Sequence, residues 1–214
     1  MKQIPIFMTT DMVLATLNGS KRQTRRIIDM QPPAGAVQIS TFHHPGPREH
    51  FYAYNRRGRL MDWCQPCKHG QHGDLLYVRE TWQHSNWPHG PYDDECEVFY
   101  RADYADDPHG FDGEKSPEGK YRSWNPSIHL PKARSRILLR VGEVRVERLQ
   151  DITEADAQAE GAMFWAQRQD MPIRHLNGGD DRIAFIALWE SIYGAGSWDL
   201  NPWVWVIDFT KVKP

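Results

Sequence analysis

The chain has few cysteines, no long apolar run and almost no net charge. Three cysteines in 214 residues, Cys64, Cys67 and Cys96, are too few to staple a chain of this length, so they read as reduced thiols and a disulfide-built scaffold is excluded. No stretch approaches the roughly 20 apolar residues of a membrane-spanning helix. The opening MKQIPIFMTT has no signal-peptide core, so a cytoplasmic protein with no membrane partner is expected. A formal net charge of -2 rules out a uniformly basic coat, and any polyanion site must be a local patch. Internal repeats are absent too, which removes solenoids and propellers.

What remains is an ordinary globular composition, 40% hydrophobic and 25% charged. The length suits a single domain over 1–214 that carries large insertions. Nine tryptophans are many for this length; most should be core, although an aromatic beside cations can stack on a base.

The densest basic patch is Gly19-Ser20-Lys21-Arg22-Gln23-Thr24-Arg25-Arg26. Ahead of it, Thr10 can cap a helix whose apolar residues Met12, Val13, Leu14 and Leu17 run up to Asn18-Gly19. A left-handed Gly19 would turn the chain sharply and let Lys21 and Thr24 converge on one pocket. Lys21 as a base needs a pKa several units below the usual value of about 10.4; neighbouring arginines and burial would supply that shift.

Strands are expected at 3–8, 24–28, 73–82, 96–104, 135–149 and 203–209, with a bulge or turn at Gly142 where the alternation of the fifth slips. Thr153 and Asp156 resemble a capping box opening a helix that ends near Glu160-Gly161. A longer helix should run from Asp180 or Asp181 to Tyr193, with Ile183, Ile186, Trp189 and Tyr193 on one stripe and Phe185, Leu188 and Ile192 widening it. Residues 31–72 and 105–123 are rich in breakers and read as loop-rich insertions, the first with at most a hairpin around FYAY. WVWVIDF is apolar on both faces and belongs inside a sheet or barrel. The class is α+β, a curved mixed sheet or a small barrel.

The helix, then G-x-K-x-x-[ET]-x-R, then GDLLYVRETW, the valine-rich strand, DITEADAQAEG and the closing WVWVIDF resemble the ASCH-domain family, closest to its longer bacteriophage and prophage members. That resemblance implies a PUA-like mixed β-barrel with connecting helices, and binding of RNA or nucleotides inside a bacterial host cell. A short subgroup hydrolyses N4-acetylcytidine to cytidine through the motif G-x-K-T-x-T-x-R and a glutamate on a later helix. Gly19, Lys21, Thr24 and Arg26 match it, the glutamate falls on Glu160, and Arg22 replaces the first threonine. The resemblance thus implies an amidohydrolase with Lys21, Thr24 and Glu160 as working residues and no cofactor. The alternatives are a non-catalytic RNA- or nucleotide-binding module and a ribonuclease acting on single-stranded RNA.

Amide hydrolysis needs a nucleophile, a proton shuttle and a stabilised oxyanion. Either Thr24 attacks with Lys21 as base, or Glu160 activates a water; Arg26 or a backbone amide would steady the oxyanion. Arg22 and Arg26 are candidate substrate contacts. Glu80 is read either as pocket floor or as a structural partner of Arg79, and Trp82 and Trp124 as base-stacking rings or core. Cys64-x-x-Cys67-x-His69-x-x-His72 has donors suited to zinc, yet one compact cluster is weaker than two separated pairs, so the reading is a turn and no metal.

Overall fold

The computed structural model describes residues 1–42, 48–86, 90–105, 124–169 and 179–212. The first part of the chain runs β1 (Gln3–Phe7), α1 (Thr10–Leu17), β2 (Gln23–Ile27), β3 (Ala36–Phe42), β4 (His50–Asn55) and β5 (Leu60–Gln65). There follow β6 (Leu75–Arg79), β7 (Trp82–His84), β8 (Val98–Tyr100) and β9 (Leu138–Arg148). The last part comprises α2 (Glu154–Ala159), α3 (Ala162–Ala166), α4 (Asp181–Tyr193) and β10 (Trp203–Val212). This is a mixed α+β arrangement in which strands predominate and fall into several sheets. Among the described residues, no helix is long and apolar enough to cross a membrane.

The principal sheet has the order β1-β6-β9-β10-β2, with β1 parallel to β6 and the other pairs antiparallel. Trp203 to Ile207 are all buried because β10 is flanked by β9 and β2 and covered on both faces. The slip expected at Gly142 is present: Ile207 pairs with Val144 but Phe209 with Val141, so β9 carries the extra residue. A Cβ at Gly142 would lie 3.4 Å from the Asp208 carbonyl oxygen.

The sheet does not close into the expected barrel. No strand ladder joins β1 to β2; they are its two edges. The edges nevertheless approach each other, since Arg26 Nη2 of β2 donates to the carbonyl of Phe7 at the end of β1, 3.1 Å away. The split between them is where the candidate site lies.

Several sequence expectations change. The region 31–72 holds a three-stranded antiparallel meander, β3-β4-β5, beyond the hairpin expected around FYAY. Its buried residues Phe51, Ala53 and Trp63 alternate with polar ones, and Phe51 meets Trp205 edge-on at 4.9 Å, a half-buried pattern that the flanking breakers obscure. The segment 96–104 leaves its strand after Tyr100 and ends in a 3-10 turn. Thr9, not Thr10, stands at the N-cap of α1. The loop read at 105–123 lies, beyond residue 105, outside the described residues.

Candidate functional site

Two glycines bring distant segments together. Gly19, at φ +86°, ends α1 in the left-handed region, after which the Lys21 amide returns to the Ala15 carbonyl at 2.8 Å. The partner segment is set by α2: Thr153 and Asp156 form the expected capping box, and six helical residues later Glu160 stands at the C-cap. Lys21 and Glu160 then pair as an isolated antiparallel bridge, and the Arg22 amide donates to the Ala159 carbonyl at 2.8 Å. Gly161, at φ +74°, permits this contact, because a Cβ there would come within 3.0 Å of the Ala15 Cβ and 3.2 Å of the Lys21 Cβ.

Lys21 is 4% exposed and its ammonium is fully used, donating to Glu160 Oε2 at 2.8 Å, the Gln23 carbonyl at 2.8 Å and the Glu160 carbonyl at 3.0 Å. Burial pulls its pKa below the ordinary lysine value; Glu160 opposes that pull, and Arg26 and Arg25 add to it. The expected lowering is therefore present, with burial rather than arginine repulsion as its main cause.

Behind Glu160 lies a network that the sequence did not signal. Arg25, which the motif passes over, is buried and reaches Glu160 Oε1 at 3.3 Å, Glu147 at 3.0 Å and Asp156 at 3.5 Å. The Gln23 side chain accepts from Arg25 and donates to Asp156 at 3.1 Å and Asp208 at 2.7 Å. Arg145 closes the far side through Asp156 at 3.0 Å and Asp208 at 3.1 Å. Strand register explains the gathering: Gln23 faces Asp208 across the β2–β10 ladder, and Arg25, Val206 and Arg145 form one row over three strands.

A cavity of about 210 Å³ opens beside this cluster. Lys21, Thr24, Arg25, Arg26 and Glu160 form its charged side. Residues that follow or end β1, among them Phe7 and Met8, and the α4 residues Phe185, Trp189 and Tyr193 form the other. Because β2 is an edge strand, consecutive residues Thr24, Arg25 and Arg26 all reach the same space despite strand alternation. Three lining residues carry buried polar atoms with no hydrogen-bond partner among the described residues: Thr24 Oγ1, Arg25 Nε and Trp189 Nε1. Such atoms are uncommon in folded proteins, and these three lie beside a space that a ligand or water can fill.

The three residues expected to do chemistry are thus brought together, with Arg26 beside them. The other four expected contacts are not. Arg22 is exposed and turned to a different hollow with Ser20, Gln158 and Gln167, as its neighbour Lys21 takes the inward direction. Glu80 is 1% exposed and held in a two-pronged pair by Arg136 at 2.9 and 3.0 Å, not by Arg79, which bonds the Ile128 carbonyl. Trp82 is buried against Tyr92 at 5.3 Å, and Trp124 packs against Tyr104 at 5.9 Å with Arg101 over its ring. None of these four lines the Lys21 cavity.

Nor do the cysteine and histidine donors assemble. Cys64 is exposed on β5, burial pushes the Cys67 thiol up to about 12, and His72 bonds the Gly142 carbonyl at 3.1 Å. Among the described residues, no group of three or more His, Cys, Asp or Glu is arranged to hold a metal ion. The stretch is the turn into β6, with Gly70 at φ +107° packed on Ile4 and Val141. No protein-family model matches the chain, and neither does any curated protein or solved structure.

Proposed function

We propose that this cavity hydrolyses an amide on a modified nucleoside, with N4-acetylcytidine as substrate and cytidine and acetate as products. The observation that carries the reading is the buried Lys21–Glu160 pair at 2.8 Å in a cavity that Thr24 also lines, the three residues that the ASCH resemblance implies. The finer fold belongs to the same proposal: an ASCH-type, PUA-like barrel, of which the open sheet with its edges meeting at the cavity is an incompletely closed form.

Geometry favours water over Thr24 as nucleophile. Thr24 Oγ1 bonds neither Lys21 nor Glu160, so it has no base, and the three acceptors around Lys21 Nζ leave that nitrogen no free lone pair. In the proposed step Glu160 takes a proton from water as the oxygen attacks the carbonyl carbon and the C=O pair moves onto oxygen. Lys21 stays protonated as the counter-charge of Glu160, and the two unpartnered donors, Arg25 Nε and the Thr24 hydroxyl, stabilise the oxyanion. Collapse re-forms the carbonyl, breaks the C–N bond and returns the Glu160 proton to the leaving amine.

The arrangement also weighs against a phosphate grip as the main role of GSKRQTRR. Lys21 and Arg25 are buried in ion pairs, and Arg26 is tied to the carbonyls of Arg25 and Phe7 at 3.0 and 3.1 Å. The test is chromatographic: protein incubated with N4-acetylcytidine should release cytidine at a rate that barely changes with salt, and Glu160→Gln should slow release by about 10²–10⁴. No product from the free nucleoside, acylated cytidine analogues or acetylated RNA overturns the proposal.

A further inference from the structure

The helix wall of the cavity carries information about the ligand that the charged side does not. Phe185, Trp189 and Tyr193 recur every four residues along α4, which places them one above the next on a single face. Their ring centroids are 6.0 Å and 4.3 Å apart in succession, so the rings form a continuous ladder. Phe185 and Trp189 are 2% exposed, whereas Tyr193 is 37% exposed. The ladder therefore runs from the core to the cavity mouth, where Ile192 at 48% and Phe7 at 44% are also uncovered.

Core packing accounts for the inner two rings and leaves the outer one unexplained. Three large apolar side chains gathered round the mouth of a cavity whose opposite side holds Lys21, Arg25 and Glu160 define a space with one apolar face and one charged edge. A ligand that fits has a flat apolar surface and a polar rim. About 210 Å³ is below the usual range for drug-sized ligands, roughly 300–1,000 Å³, and fits one ring with a small substituent. On the same wall the buried Trp189 Nε1 is a donor without a partner.

We infer that Tyr193 is the specificity-determining residue of the site, packing on the ligand as the next ring of the ladder, and that the ligand class is a single heteroaromatic ring with a polar or acylated edge rather than an aliphatic amide. The choice of substrate edge rests on the hydrolase reading; the ring selectivity does not. Tyr193, not Trp82 or Trp124, takes the stacking role.

Binding of unmodified cytidine to the full chain separates the two ideas, because it needs no chemistry. Calorimetric titration should show Tyr193→Ala raising Kd about tenfold, within the range for losing one base-stacking ring, and Tyr193→Phe recovering most of the affinity. An aliphatic amide, N-acetyl-lysine methyl ester, should bind at least about tenfold more weakly than cytidine. Thermal melts of both variants check the fold. Equal Kd for Tyr193→Ala and the parent chain, equal affinity for the aliphatic amide, or no cytidine binding overturns the inference. Tyr193-dependent cytidine binding without hydrolysis of N4-acetylcytidine sinks the hydrolase alone, and hydrolysis with KM indifferent to Tyr193→Ala sinks the ring selectivity alone.

Discussion

Lys21–Glu160 and Arg136–Glu80 are both cation–carboxylate pairs with a buried carboxylate, 3% exposed for Glu160 and 1% for Glu80, yet their surroundings differ. The guanidinium of Arg136 grips both oxygens of Glu80, lies 4.0 Å from the Tyr100 ring and continues to Asp103 at 2.8 Å, so nothing on that carboxylate is left to offer. Glu160 divides its oxygens between Lys21 and Arg25, and the groups around it include unpartnered donors at the wall of a cavity. Burial of a charge thus does not by itself mark a site. What distinguishes the Lys21 cluster is polar capacity left over beside a space that can use it.

The largest expected separation is catalytic. Glu160→Gln should lower kcat on N4-acetylcytidine by about 10²–10⁴, the usual worth of a positioned acid or base, whereas Glu80→Gln should leave kcat within about twofold. Steady-state kinetics on both variants checks this, and a comparable loss for Glu80→Gln would erase the distinction.

Stability should divide the regions the other way. Arg136→Met strands Glu80 with no cation and should cost about 3 kcal/mol, the range for an uncompensated buried charge; Lys21→Met leaves Glu160 its contact with Arg25 at 3.3 Å and should cost about 2 kcal/mol or less. Urea titration reads both. A third contrast lies in the two glycines of the site. Gly19→Ala meets nothing within 4 Å and should lose only the left-handed backbone penalty, about 1–2 kcal/mol, while Gly161→Ala adds the 3.0 Å clash with Ala15 and should lose more, together with the Lys21 geometry. Equal losses for the two alanines would mean that the tight approach at Gly161 is unimportant.

How much of this was legible follows from the range of the signals. The capping box, the Gly19 turn, the slip at Gly142 and the doubly apolar β10 are local patterns, and each is found where it was read. The convergence of Lys21, Thr24 and Glu160 is not local, as 139 residues separate the ion pair, so it was expected only from the resemblance and not from spacing. Arg25 carries no such local signal: among four cations within six residues, only the fold decides that Lys21 and Arg25 turn inward. The stripe on α4 differs from the expected one for a related reason. Ile183 and Ile192 are about half exposed while Ala184, Phe185, Leu188 and Trp189 are buried, so the apolar residues outnumber the buried face and periodicity alone cannot orient it. The four-residue recurrence of Phe185, Trp189 and Tyr193 was available as a signal, but it reads as core until a cavity is seen beside it.

The smallest effect, acid titration, should move the two regions in opposite directions. Burial pushes the Glu80 carboxyl above its ordinary value of 4.5; Arg136 opposes this and Asp103 adds to it. A folded pKa above the unfolded one means a contribution fully present below 4.5 and lost as pH rises through the folded value, so this region gains as pH falls from neutrality. Asp156, beneath Glu160, behaves oppositely: burial raises its pKa, but hydrogen bonds from Thr153 and Gln23 and the charge of Arg25 outweigh that and hold it at about 2, below the ordinary 3.8. Its contribution is present above about 4 and fades as pH falls toward about 2. Melting curves at stepped pH should therefore show Glu80→Gln removing a gain between neutrality and pH about 4.5, and Asp156→Asn removing a loss below pH about 4. If both variants flatten the same limb, the two clusters titrate as one unit, and the separation of a structural pair from a working one fails at its electrostatic root.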